Sequence, residues 1–155
     1  MTDFKRVYLS GGMEYAENEG RDWRQAMQEW LQQTFHCEVF NPNAESDKFF
    51  AARYPASDVR KLKETDIVAY ASIVSQLVEI DCKEIAERSD LVICYWDESA
   101  QRGAGTKGEL TIAKHFGKPV YMVTSMPYIE IPGWVLGCTT FIFSSFDELK
   151  KFLLL

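Results

Sequence analysis

Short β-rich runs alternate with stretches of helical period along most of the chain, and this alternation limits the possible folds more than any other feature. "RVYLS" (6–10) ends at Gly11-Gly12 and reads as a strand. Over residues 19–35, Trp23, Met27, Trp30, Leu31 and Phe35 recur at helical spacings of three and four. "CEVFNP" (37–42) predicts a second strand, stopped by Asn41-Pro42. "LVICYW" (91–96), "PVYMV" (119–123) and "TTFIFS" (139–144) predict three more. Helices are expected over 73–88, 106–117 and 145–155. Residues 43–72, interrupted at Pro55, predict two short helices or an excursion over one end of the sheet. The expectation is one α/β domain over 1–155, a three-layer sandwich around a mostly parallel sheet of about five strands. Ligands bind such sheets at the carboxyl ends of the strands, near the switch point. "SGGM", "FNPN" and "WDESAQRGAGTKGE" should all sit there.

The totals narrow the function. The chain has 155 residues, enough for one sizeable core, with 46% hydrophobic and 26% charged residues. Its net charge of −6 argues against a global basic field, so nucleic acid is not an expected partner. Cys37, Cys82, Cys94 and Cys138 form no C-x-x-C pair and read as reduced, mostly buried thiols. With only His36 and His115 beside them, neither a zinc site nor any other metal is expected. "MTDFKR" lacks the pattern of a secretory leader, and no apolar run approaches the ~20 residues of a membrane span. A cytoplasmic protein without membrane contact is expected.

The stretch "RGAGTKGEL" (102–110) admits three readings. Gly103, Gly105 and Gly108 spell G-x-G-x-x-G, the dinucleotide fingerprint. That loop belongs directly after the first strand, with an acidic residue some 20 positions on. Here "DESAQR" intervenes and no such acid follows, which counts against this reading. Thr106 and Glu109 spell a capping box, each side chain bonding the other's backbone N–H. Glu109 also shares the spacing i, i+3, i+4, i+7 with Ile112, Ala113 and Phe116, which puts an acid on an apolar helix face. A buried charge without partners is costly, so this position asks for a partner or a reaction.

A second acid repeats the anomaly. On the 73–88 helix the inward stripe reads Val74, Leu77, Val78, Asp81, Ile85. Asp81 is either a satisfied structural residue or part of a site. Asp97 follows the third strand in the same region, where loop solvation is the plainer role. Carboxylates gathered at one strand-end crevice suit work on a glycosidic bond, provided their pKa values differ. A base rich in ring nitrogens would also suit carboxylates and an aromatic such as Trp96 for stacking.

"VYLSGGM" (7–13), "VFNP" (39–42) and "IDCKEIAERSDLVICYWDESAQRGAGTKGELTIAKHFGKPVYMV" (80–123) resemble the nucleoside 2-deoxyribosyltransferase family. Deoxynucleoside 5′-monophosphate N-hydrolases are among its relatives. The resemblance implies a flavodoxin-like, Rossmann-like fold that cleaves the N-glycosidic bond of a deoxynucleoside without a cofactor. It places Glu109 at the nucleophile position, forming a glycosyl ester with C1′ before a second base accepts the sugar. Tyr8 matches the tyrosine that positions the nucleophile, and Asp81 an acid that assists proton transfer to the leaving nitrogen. Gly11 and Gly12 would admit the sugar, with Asn41, Trp96, Asp97, Gly105 and Thr106 as further ligand contacts. The implied partners are a nucleoside or nucleotide, a free base and further copies of the chain in a homo-oligomer. Arg102, a solvated loop arginine on the plainer reading, has the geometry to favour a 5′-phosphate. "RGAGT" lacks the proline-glycine-glycine start of the cytokinin-activating phosphoribohydrolases, which share a G-T-x-x-E element. Hydrolysis of a nucleoside monophosphate and non-catalytic nucleotide sensing remain as alternative functions.

Overall fold

The computed structural model describes residues 3–155; Met1 and Thr2, the start of the segment read for a leader, lie outside them. Five parallel strands, β1 (Arg6–Gly11), β2 (Glu38–Phe40), β3 (Leu91–Tyr95), β4 (Val120–Val123) and β5 (Phe141–Phe143), form one sheet in the order β2-β1-β3-β4-β5. Eight α-helices accompany them among the described residues. These are α1 (Arg21–Phe35), α2 (Pro42–Arg53), α3 (Val59–Thr65), α4 (Ile67–Lys83), α5 (Glu98–Arg102), α6 (Gly105–His115), α7 (Gly133–Cys138) and α8 (Phe146–Leu153). The strand order reverses between β1 and β3, which makes the crevice beyond their carboxyl ends the switch point.

Strand alternation splits the core into two layers. Val7, Leu9, Leu91 and Ile93 face one side, where they meet Met27 and Leu31 of α1 and Leu149 and Leu153 of α8. Tyr8, Val92 and Cys94 face the other, against Leu110 and Ala113 of α6, Val135 of α7 and Ile85. Covered on both faces, β3 and β4 are continuous apolar runs rather than alternating ones. A satellite cluster of Phe49, Val59 and Ile73 joins α2, α3 and α4 to each other.

The 43–72 segment resolves into α2, α3 and the first turn of α4, with Pro55 in the connection before α3. α2 starts where the sequence stops β2: the Asn41 side chain accepts from the Asn43 N–H, and Pro42 takes the first helical position. α4 begins earlier than the periodicity suggested and ends in a π-turn over Glu84–Arg88. The inward stripe needs one correction. Val78 is 54% exposed, because α4 packs on α3 and α6 and leaves part of its apolar surface open. α5 and α7 form within "DESAQR" and the stretch after β4, neither of which reads as helix from periodicity. No helix among the described residues is long and apolar enough to cross a membrane.

Candidate active site

Three elements meet beyond the end of β1. Tyr8 and Ser10, two residues apart, point to the same face of the strand, the face that α6 covers. From α6, Glu109 reaches back, and the Ser10 hydroxyl donates to its Oε2 at 2.6 Å. The Tyr8 hydroxyl is fully buried and has no partner in hydrogen-bonding geometry, with Glu109 and Asp81 both within its electrostatic reach. Its ring stacks on Phe40, centroids 5.1 Å apart, which fixes the plane of the ring. Asp81 arrives from the last turn of α4.

Burial sets the electrostatics. Desolvation pushes Glu109 up to about 7, against the lowering effects of the Ser10 hydrogen bond, the Arg24 charge and Tyr8. Desolvation, then the Glu109 charge, push Asp81 up to about 8, against Tyr8 and Arg24. Burial and the two carboxylates hold the Tyr8 phenol well above its ordinary range. Burial thus raises both carboxyls towards neutrality, so that the pair can hold one proton between them.

The other sequence-derived residues fare differently. Gly105 opens α6, and a Cβ there would meet nothing within 4 Å. Thr106 lies inside α6, not at its N-cap; Ala104 takes that place without a side-chain hydrogen bond, and the capping box does not form. Glu109 is committed instead to Ser10. Asp97 caps α5, accepting from the Ala100 N–H at 3.0 Å and from the Ser99 hydroxyl. Asn41, 5% exposed, is engaged by the Asn43 N–H and by Gln28. Trp96 is 0% exposed within the core, its indole N–H unpartnered, so its ring presents no open face for stacking. Arg102 sits over the Tyr15 ring at 4.1 Å.

Gly12 is required by its protein neighbours. A Cβ there would fall 2.0 Å from Ser99 Oγ and 2.9 Å from the Ala100 backbone N. The serine can rotate, but the backbone of α5 cannot yield cheaply. Gly12→Ala should cost about 1–3 kcal/mol of stability and lower turnover by displacing α5, measured by denaturant melts and assay. An unchanged melt would show that α5 moves freely.

Two residues of this cluster escaped the sequence reading. Ser10 was legible from strand alternation, since any residue two places after Tyr8 shares its face. Arg24 holds an inward slot of α1, at i−3 and i−7 from the buried Met27 and Leu31, a charge inside an apolar stripe like Asp81 and Glu109.

Neither a protein-family model nor a curated protein matches this chain. Among solved structures, the CMP N-glycosidase BcmB of Clostridium botulinum matches 97% of this chain and 100% of its own. The TM-score is 0.55 and the sequence identity 18%, a likeness of fold.

Proposed function

We propose that this protein cleaves the N-glycosidic bond of a (deoxy)nucleoside or its 5′-monophosphate and passes the deoxyribosyl group to a second base through a glycosyl-Glu109 ester. The observation that carries the reading is the Glu109 carboxylate held on Oε2 by the Ser10 hydroxyl, with the Asp81 carboxyl near enough to feel its charge and both raised by burial. With Oε2 engaged, Oε1 is free to attack C1′. The C1′–N bond breaks as the C1′–O bond forms, and its electron pair goes to the base nitrogen. Asp81 donates its proton to that nitrogen, so the base leaves neutral. In the second half an acceptor nitrogen attacks C1′, Asp81 takes back a proton, and Glu109 leaves as carboxylate. Two displacements retain the anomeric configuration. Tyr8 would orient Glu109, and the glycines at Gly11 and Gly12 would admit the sugar.

Hydrolysis is the second reading, with water as the acceptor. The fold neighbour supports it, being a CMP N-glycosidase. The test is a panel resolved by chromatography: deoxyinosine with free adenine, and each (deoxy)nucleoside monophosphate alone. A swapped nucleoside establishes transfer, and free base without a swap establishes hydrolysis. Ligand binding without turnover across the panel would leave only a nucleotide-binding module.

A further inference from the structure

The Arg24 guanidinium is 1% exposed and spends its N–H groups on neutral acceptors. Nε donates to the Leu9 carbonyl at 3.1 Å and Nη2 to the Gly11 carbonyl at 2.7 Å. Nη1 reaches the carbonyls of Gly12, Glu19 and Gly20 at 3.4, 3.2 and 3.3 Å, and Asn43 Oδ1 at 3.1 Å. These contacts gather the whole connection between β1 and α1. That connection is conformationally expensive: Asn18, Glu19 and Gly20 take successive left-handed conformations with φ of 46°, 57° and 69°. Something must hold it, and Arg24 touches both of its ends.

Its charge has no carboxylate partner in ion-pairing distance among the described residues, and an unpaired buried charge is costly. The segment Leu9–Ser10–Gly11 shows where the balancing charge lies. Arg24 bonds the carbonyls of Leu9 and Gly11 from the α1 side, while Glu109 takes the hydroxyl of Ser10 between them from the α6 side. Cation and carboxylate thus grip one tripeptide of β1 from its two faces.

We propose that Arg24 is the positioning residue of this site, fixing the Gly11–Gly12 turn and facing Glu109 with a permanent positive charge across β1. The proposal rests on the reading of Glu109 as nucleophile. The titratable groups electrostatically linked to Glu109 lie on each neighbouring element: Tyr8 on β1, Arg24 on α1, Asp81 and Cys82 on α4, and Cys94 on β3. Of these Arg24 is the only cation. Glu109 is in turn the first-ranked of the groups that favour Arg24's charge, which burial disfavours.

Three variants test this, with the Glu109 carboxyl titrated by carbon NMR and kcat/KM followed against pH. Arg24→Gln should lower kcat/KM by about 10²-fold, the scale of a misplaced reacting group. It should also move the Glu109 titration and the acid limb above the wild-type position near pH 7. Arg24→Lys keeps the charge but not the fork of contacts, so activity falls while the limb stays in place. Asn43→Asp keeps an oxygen acceptor 3.1 Å from Nη1 and sets a negative charge beside Arg24, while losing the Asn43 amide's bond to the Glu19 carbonyl; once a melt shows the variant folded, its limb should lie above the parent's. An unmoved Glu109 titration in Asn43→Asp would overturn the proposal. So would an Arg24→Gln variant that folds and loses activity equally at every pH. If Glu109 titrates with Arg24 but no substrate turns over, the charge pairing stands and the nucleophile reading falls.

Discussion

Glu109→Gln is expected to remove turnover, by about 10³-fold or more, and to leave a protein that is more stable than the parent at alkaline pH. The first effect follows from the loss of the attacking oxygen: an amide neither forms nor releases the glycosyl ester. The second follows from desolvation. Burial lifts the Glu109 pKa from 4.5 to about 7, so between those values the folded chain holds a proton that the unfolded chain has released. Stability of the parent therefore falls as pH rises across that window and levels off above it. The glutamine variant does not titrate, and its advantage should be absent at pH 4 and reach on the order of 2 kcal/mol at pH 8. The gain falls short of the full shift because Glu109 is only half-buried as a whole residue and the glutamine loses part of the Ser10 contact. Urea melts at the two pH values decide it. Equal stabilities at pH 8 would mean that the Glu109 carboxylate is solvated, and full turnover would remove it from the mechanism. A stabilised but inactive protein is the signature of a residue kept for chemistry against the interest of the fold.

Most of the architecture was legible because its signals are long or strong. β3 and β4 are unbroken apolar runs, and α1 repeats its apolar positions over four turns. The helices that escaped, α5 and α7, span five and six residues, too short to show a period of 3.6. The carboxylates at 81 and 109 were found by one argument, an acid on an apolar helix face. Asp81 is brought to the cluster although Val78 beside it is exposed, since the end of α4 leads into the buried Glu84 and Ile85. The same argument applied to Arg24 would have found it too. The capping box misled for a tertiary reason: Ser10, 99 residues away in sequence, competes for the Glu109 carboxylate and wins it from Thr106. Trp96 misled because an aromatic just past a strand end can turn towards a ligand or fold back under α5, and local sequence does not distinguish the two. Asn41 and Asp97 sit where ligands bind in this type of sheet, but each immediately precedes a helix and is engaged as its N-cap. Side chains at that rim serve the helices first.

The dependence of kcat/KM on pH should be a narrow bell, and its alkaline side should belong to Asp81. Glu109 must be ionised to attack, which places the acid limb near 7, and Asp81 must be protonated to release the base, which places the alkaline limb near 8. Asp81→Asn cannot donate a proton, so kcat/KM should fall by about 10²–10⁴-fold and the alkaline limb should vanish. The loss should shrink sharply for a nucleoside whose base is already cationic, such as a 7-methylpurine, because such a base leaves without protonation. The two limbs are also coupled. After desolvation, the Glu109 charge is the largest cause of the Asp81 shift, so in Glu109→Gln the Asp81 carboxyl should titrate at a lower pH than in the parent. Carbon NMR on that inactive variant measures this without any substrate. An Asp81→Asn variant that keeps the alkaline limb would assign it to another group, and equal losses on neutral and cationic bases would show that Asp81 holds the site together without delivering the proton.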